Sequence, residues 1–440
     1  MISLRRRTPT PPAQAPTGHG RWPVVIKVLA AGLAIPVLAV LGGCQGQRQQ
    51  PTLRPLQGTL YIAVGVSQDA LDTELQKEVR QRTTTLQTTF RSLQPKVRLQ
   101  VEVFPEESLH NELNVRNRTG LSPDLLLVNE STAQELAREQ LISTVSFPAV
   151  VLDQLDAGSV MRVRRSDGTL TGLPMELQPQ VACFDRRRVQ SSPATLEELL
   201  AFSAKGMEVG ISLDAVSLAW TLRPLGAIEA VGDQLAGEPV TPETRKSLLG
   251  WLQWLRTADQ QQHFTVYPTE TELLKQLMAG ALDWIPCRSI NISRLRSRLG
   301  NNLGVAPLPS GPFGTASPIT RERVLGFGVN SSPVQRQLAL ALARFAISPL
   351  HQRDIVLRNQ YVLPVNREVA PPVRSSSVLA ALVEGRQQSL QRSTIRLIEG
   401  SSRSQREAWQ ALLTRFLFDD LNQQATLEGL IALLAGGGSR

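Results

Sequence analysis

Aromatic side chains are scarce in this chain, at 5% of 440 residues. Tyr61, Tyr267 and Tyr361 are its whole supply of phenolates, which argues against an iron site of clustered tyrosines. Only 3 cysteines and 4 histidines occur. There is no CxxC and no Cys–His cluster, and His110, His263 and His351 are far apart, so a structural zinc site of the usual spacing is excluded and no cofactor is expected. The G-x-S-x-G, H-E-x-x-H, P-loop and G-x-G-x-x-G patterns are all missing. The adjacent carboxylates Glu106-Glu107 and Asp419-Asp420 are poorly placed to flank one scissile bond, because neighbours in sequence rarely converge on one. Basic clusters are also lacking. The longest basic run beyond the first 43 residues is Arg186-Arg187-Arg188, which reads as a solvated face and gives no reason to expect nucleic acid.

Acid is absent from the first 43 residues, whereas Arg5, Arg6, Arg7, Arg21 and Lys27 are present. A mostly apolar stretch follows, Val24 to Val40, too short for a comfortable membrane span and broken by Lys27 and Pro36. Small residues then precede Cys44 in the run Leu41-Gly42-Gly43-Cys44. A basic end, an apolar middle and small residues before the cut form a secretory signal peptide. The cysteine directly after Leu-Gly-Gly matches the lipobox of bacterial lipoproteins, in which the thiol takes up lipid before cleavage. The expectation is therefore a signal peptide over 1–43, lipidation of Cys44, a polar linker over 44–56 and a protein tethered outside the cytoplasm, in the periplasm or on the cell surface. Removing the 5 basic residues of the leader lowers the formal charge of +9 to about +4, so the high pI carries little information about partners. The two remaining cysteines, Cys183 and Cys287, stand either as a disulfide or as two buried thiols.

The remainder, roughly 400 residues, is too long for one compact core and suits two lobes. Strand and helix patterns alternate along it, the mark of a parallel α/β sheet. Thr59–Gly65 reads as a strand and is followed by a helix with Leu71, Leu75, Val79, Leu86, Phe90 and Leu93 on one stripe. Val97–Val103 alternates as a half-buried strand, and the continuous apolar run at Leu125–Val128 suits a strand buried on both faces. Ser131–Glu139 is the next helix. Further strands are expected at 181–184, 208–213, 281–285 and 303–306. Thr195 with Glu198, Thr241-Pro242, and Thr269 with Glu272 signal helix starts, and Gly280 a helix stop. Beyond Ser332-Pro333 the pattern is largely helical.

Several consecutive segments resemble the extracellular solute-binding proteins of ABC importers, whose members have the type II periplasmic-binding fold. They are Pro123–Glu130 with Ala133–Ile142, Gly172–Asp185 with Pro193–Leu199, Leu273–Gly280 leading to Leu303–Pro312, and Gly326–Asn330, Ala339–Pro349 and Tyr361–Val365. The similarity spans nearly all of residues 57–435. It implies an α/β fold of two lobes, each a mostly parallel sheet flanked by helices, with a ligand cleft between them. Lobe I would be 57–176 with 325–364, and lobe II 177–324 with 365–440. The hinges would lie near 176–180, 321–326 and 363–368.

Loops beyond strand ends are the physical candidates for ligand contact in such a cleft. These are Gln68, Asn129 and Glu130, then Glu176 and Gln178 at the hinge, and Asp214, Ser217 and Trp220 in the second lobe; Phe327 belongs to one of the resembling segments. Each has a bland alternative. Asp214 is equally a helix cap and Trp220 equally core; Gln68 suits a turn, Glu130 a solvated position and Glu176 a structural bond between lobes. Many sugar-binding relatives carry Gly-Pro-Trp where this chain has Arg288-Ser289-Ile290, so an aromatic platform is missing there. Arg288 is instead a candidate clamp for an anionic group or one half of an ion pair. Trp251, Trp254 and Trp284 read as packing. The expected function is capture of a sugar, glycoside or polyol by a monomeric, lipid-anchored, non-enzymatic subunit that delivers it to an ABC permease and its ATPase. A sensor or transport-independent binder, or less readily a surface-anchored hydrolase, is the alternative. The few aromatics favour a small ligand over a long oligosaccharide.

Overall fold

The computed structural model describes residues 56–66, 73–389, 398, 403–418 and 420–436, with the backbone alone at 73–82 and 403. The expected signal peptide, Cys44, the linker up to residue 55 and Gln68 lie outside them. Among the described residues no helix is long and apolar enough to cross a membrane.

Three parallel strands open the fold: β1 (Gln57–Val66) between β2 (Lys96–Pro105) and β3 (Leu125–Asn129). The helices Thr73–Leu93 and Leu109–Thr119 connect them, as parallel pairing requires a crossover. On edge strand β2, Val97 and Leu99 are buried while Arg98 and Gln100 are exposed; β3 is buried nearly throughout. The apolar stripe of the first helix is shorter than its sequence implies, because Phe90 is buried but Leu93 lies exposed.

Next comes β4 (Leu173–Asp185), buried at every position. The expected strand at 181–184 is only its second half. Further on are β5 (Val209–Ser212), β6 (Phe264–Tyr267), β7 (Trp284–Arg288), β8 (Leu303–Ala306), β9 (Thr320–Phe327) and β10 (Leu363–Pro364). The strand order is β2-β1-β3-β9-β4-β7-β5-β6, with β8 and β10 both added to β4. Every antiparallel pairing involves β4 or β9, and the remaining pairings are parallel.

Strand β4 belongs to two sheets. Its Leu173–Pro179 half pairs with β9, and its Gln180–Asp185 half pairs with β7 and β8. The chain therefore passes between sheets at Pro179-Gln180. Strand β9 pairs with β3 and β4 from Thr320 onward, so the return passage precedes Thr320 rather than falling at 321–326, and Thr320–Val324 sits with the first sheet. The third passage runs beside β10, where Pro364 faces Glu176.

Two apolar cores follow. The first takes Leu60, Val64, Leu125 and Val128 with Leu338 and Leu342 of the helix Pro333–Ala346. The second gathers Trp220, Trp251 and Trp284 with Leu413, Phe416, Leu430 and Leu434 of the helices Arg403–Leu417 and Gln423–Ala435. Trp254 packs edge-on to Phe264 at 6.3 Å. Cys183 of β4 and Cys287 of β7, with Cα atoms 5.9 Å apart, are joined as a disulfide.

The threonine signals work locally as their chemistry requires. Thr195, Thr241 and Thr269 each accept the backbone N–H three residues on, and Gly280 closes its helix at φ 78°. The Glu198 carboxylate reaches back to the N–H of Ala194, one residue before the cap.

Candidate functional site

A cleft of about 2210 Å³ opens along the strand ends and is lined from both sheets. On the first-sheet side are the carboxyl ends of β1 and β3, the helix Glu130–Arg138 and Met175–Gln178 of β4; on the other are Asp214–Ser217, Thr269–Thr271 and Arg288. Among the described residues no tryptophan or phenylalanine lines it.

The floor on the first sheet is built around Arg323. Register places Arg323 of β9 opposite Asn129, the last residue of β3. Its Nη2 donates to the backbone oxygens of Gly65 (2.6 Å) and Leu127 (2.7 Å), at the ends of β1 and β3. Its Nη1 donates to Asn129 Oδ1 (3.0 Å) and Glu106 Oε2 (3.2 Å). Glu106 in turn accepts from the Asn129 backbone N–H (2.6 Å) and side-chain Nδ2 (2.8 Å). The Arg323 and Glu106 side chains are 9% and 7% exposed. A guanidinium suits this position because its fixed fork of donors meets four acceptors at once.

Beside it lies a second buried group with two acids and one base. Arg162 donates through Nε (3.1 Å) and Nη2 (2.8 Å) to Glu130 Oε2, and its Nε is 3.7 Å from Glu322 Oε1. Ser159 Oγ donates to the same Glu322 oxygen at 3.0 Å, and Glu322 Oε2 has no partner. Burial pushes the Glu322 pKa up to about 7, with Arg162 opposing and Glu130 adding to it.

The second-sheet floor is a smaller knot. Glu270 Oε1 accepts from the Arg288 backbone N–H (2.7 Å) and Asn291 Nδ2 (2.8 Å), while Oε2 pairs with Arg288 Nε. Burial works against the Arg288 charge, but Glu270 outweighs it, helped by Asp214 and by Glu106 of the opposite floor, and the net effect is to raise its pKa. No partner among the described residues takes its terminal amino groups.

The remaining candidates separate cleanly. Glu176 and Gln178 are buried at the cleft, where Gln178 Nε2 donates to Glu176 Oε1 at 2.7 Å. Glu130, read as a possible solvated group, is 4% exposed and held by Arg162. Asp214 lines the cleft and also caps the turn Ala215–Leu218 by accepting from Ser217 N at 2.9 Å. The Ser217 backbone oxygen receives Gln180 Nε2 at 2.8 Å.

Two candidates do not reach the cleft. Trp220 is fully buried, its ring edge-on to Trp284 at 6.2 Å, since the chain turns into the second core at Ala219–Thr221. Phe327 ends β9, which runs antiparallel to β3, so it sits opposite Leu125 at the amino end of β3. There it packs 6.2 Å from Phe147 with the Arg336 guanidinium over its face. The same reversal brings Arg323 to the cleft. Sequence reasoning passed over Arg323, Glu322, Arg162 and Glu270. Arg321-Glu322-Arg323 opening an otherwise apolar strand was the available signal.

The sequence match that decides the family covers residues 86–381 and is described as bacterial extracellular solute-binding protein. The chain belongs to that family. Members are binding proteins by description, and membership places the protein's work outside the cytoplasm. Among solved structures it is similar to maltose-bound MalE3 of T. maritima, with 16% identity, TM-score 0.64, and 86% of this chain and 98% of that one covered. An ABC transporter solute-binding protein of Thermotoga lettingae bound with α-D-tagatose gives 13% identity and TM-score 0.66, over 87% and 100%. The sugar-binding protein MalE of Xanthomonas citri gives 16% identity and TM-score 0.60, over 86% and 98%. These likenesses carry the two-lobed fold. No curated protein matches the sequence.

Proposed function

We propose that this protein is the substrate-binding subunit of an ABC importer. It captures a small polar solute, a sugar, glycoside or polyol, between its two sheets and delivers it unchanged to a permease. The observation carrying this reading is the cleft itself. It lies where two sheets turn their strand ends towards each other, and its floors are hydrogen-bonding ion pairs rather than a nucleophile with a base. Each floor holds an ion pair that cancels its own charge, Glu106 with Arg323 and Glu270 with Arg288. Such surfaces offer donors and acceptors to hydroxyl groups without demanding a net charge. Maltose and tagatose in the similar structures point to the same ligand class.

The lobes are proposed as 57–176 with the later strand of the first sheet, and the second-sheet segments with the C-terminal helices, moving about the three passages. Lipidation at Cys44 would keep the protein beside its permease. The test is thermal unfolding with maltose, maltotetraose, D-tagatose, D-glucose, myo-inositol and D-glucuronate. A ligand at about 100 times its Kd stabilises the folded form by about 2.7 kcal/mol. A melting temperature indifferent to all six would sink the proposal. The anchor has its own test, because Cys44→Ser should abolish labelling by a radioactive fatty acid.

A further inference from the structure

The hinge side of the cleft holds a buried side chain whose bonding is incomplete. His351 is the third residue of the helix Pro349–Asn359, where its backbone N–H meets the capping Ser348 Oγ at 3.4 Å. Its neighbour Gln352 ties that helix to the passage between sheets. Gln352 Nε2 donates to the Met175 backbone oxygen (2.9 Å), and its Oε1 accepts from Val365 N (2.9 Å). This anchors His351 alongside Met175 and Glu176. The imidazole lies 4.6 Å from the Phe345 ring, tilted by 36°. The residue is 2% exposed and is among the cleft lining with Glu176 and Gln178, while both ring nitrogens are sealed from solvent and have no hydrogen-bond partner.

A neutral imidazole carries one N–H donor and one acceptor. Leaving both unpaired in the interior costs free energy that a complementary group recovers on binding. Burial pushes the His351 pKa down to about 4, with Asp354 and Glu176 opposing, so the ring is uncharged near neutrality. Of the two acids acting on it, Asp354 of its own helix is paired with Arg358 at 2.6 Å, which leaves Glu176 of β4 to disfavour an anion.

We propose that His351, with Glu176 and Gln178, forms a hinge-side subsite that reads a hydroxyl group of a neutral polyhydroxyl ligand, a ring nitrogen being uncovered when the side chains over it shift on binding. The subsite deepens the solute-binding reading and rests on it. It names uncharged sugars and polyols, rather than sugar acids, as the class taken at this end of the cleft.

Two variants test it. His351→Phe keeps a flat ring over Phe345 and removes both nitrogens; His351→Gln keeps a donor and an acceptor. Binding of maltose, D-tagatose, D-glucose, myo-inositol and D-glucuronate is measured by calorimetry on all three proteins. For the tightest neutral binder, H351F should lose roughly tenfold or more in affinity and H351Q should stay within about threefold of the wild type. D-glucuronate should bind more weakly than D-glucose. If H351F does not fold, the imidazole nitrogen shifts of the wild type, recorded with and without that binder, replace it, and a ring nitrogen should move. Unchanged affinity in H351F, unmoved nitrogen shifts or a preference for glucuronate would overturn the subsite while leaving solute binding intact. Silence of the wild type towards all five solutes would remove both.

Discussion

The two floors of the cleft are built from the same pair of residue types to opposite ends. On the first sheet, both terminal nitrogens of Arg323 are committed, two of their four bonds going to backbone oxygens of β1 and β3. On the second, Arg288 spends its backbone N–H and Nε on Glu270 and is among the residues lining the cleft. The Arg323 side chain is 9% exposed and that of Arg288 23%. One guanidinium ties the ends of β1 and β3 together through the Gly65 and Leu127 oxygens. The other is held through its backbone N–H and Nε and leaves its terminal amino groups without a partner among the described residues. On this contrast we propose framework for the first floor and recognition for the second.

Breaking Arg323 should have the largest effect. Arg323→Leu leaves the Glu106 carboxylate without its counter-ion and the Gly65 and Leu127 oxygens without their shared donor. Removing one partner of a buried ion pair costs about 3–5 kcal/mol. Denaturant unfolding should show a midpoint lowered accordingly at unchanged slope. A wild-type midpoint would mean that the Arg323 network is ornamental to stability.

The next effect is set by pH at Glu322. Its pKa is raised from 4.5 to about 7, so the folded protein holds a proton that the unfolded chain releases between those values. The resulting stabilisation is complete below pH 4.5 and is lost as pH rises through 7, on the order of 3 kcal/mol. Glu322→Gln should flatten this decline and leave the variant more stable than the wild type above pH 7. Parallel stability–pH curves for the two proteins would refute the buried-acid account.

His351 imposes the opposite slope. With its pKa pushed from 6.5 down to about 4, the unfolded chain takes up a proton that the folded protein refuses. Stability is therefore retained above pH 6.5 and falls as pH drops towards 4, again on the order of 3 kcal/mol. The Glu322 and His351 slopes partly cancel in the wild type. Glu322→Gln should expose the His351 slope as a loss on acidification, and His351→Phe should leave a loss on alkalinisation. Titration melts of both variants check the pair together.

How much of this was legible in the sequence follows from the range of the forces involved. Local signals read well: the apolar run of β3 is buried, and Thr195, Thr241 and Thr269 cap their helices. Those outcomes depend on neighbours within four residues. The site depended on pairing at a distance. Nothing near Phe327 announces that β9 runs antiparallel to β3, and that reversal sends Phe327 to the far end of the sheet while bringing Arg323, four residues earlier, to the strand ends. Glu106 was dismissed with Glu107 as a neighbouring acid pair; its partner Arg323 lies 217 residues away. Trp220 follows the same logic, since burial against Trp284 of β7 decided its direction. Asn129, Glu176, Gln178, Asp214, Ser217 and Arg288 do line the cleft, because carboxyl strand ends and crossover strands are visible in the local pattern.

The smallest effect on stability belongs to Arg288, and that smallness is what separates the floors. In Arg288→Gln, Glu270 keeps two of its three donors, because the backbone N–H at position 288 and Asn291 Nδ2 do not depend on the side chain. Glu106 likewise keeps two of its three donors in Arg323→Leu, so the two variants differ in the Gly65 and Leu127 oxygens that Arg323 also serves, and Arg288→Gln should destabilise less than Arg323→Leu. Ligand affinity should respond far more. Losing the charged donors of Arg288 should weaken the tightest-binding solute about tenfold or more, since hydrogen bonds from charged groups are worth about 1.5–3 kcal/mol each. Calorimetric affinity and denaturant midpoint, measured on the same preparation, give two numbers whose ratio should be inverted in Arg323→Lys. There a compact ammonium keeps the charge but cannot span four acceptors, so stability falls while the second floor is untouched. If Arg288→Gln instead destabilises as Arg323→Leu does and leaves affinity unchanged, the recognition role assigned to the second floor is lost.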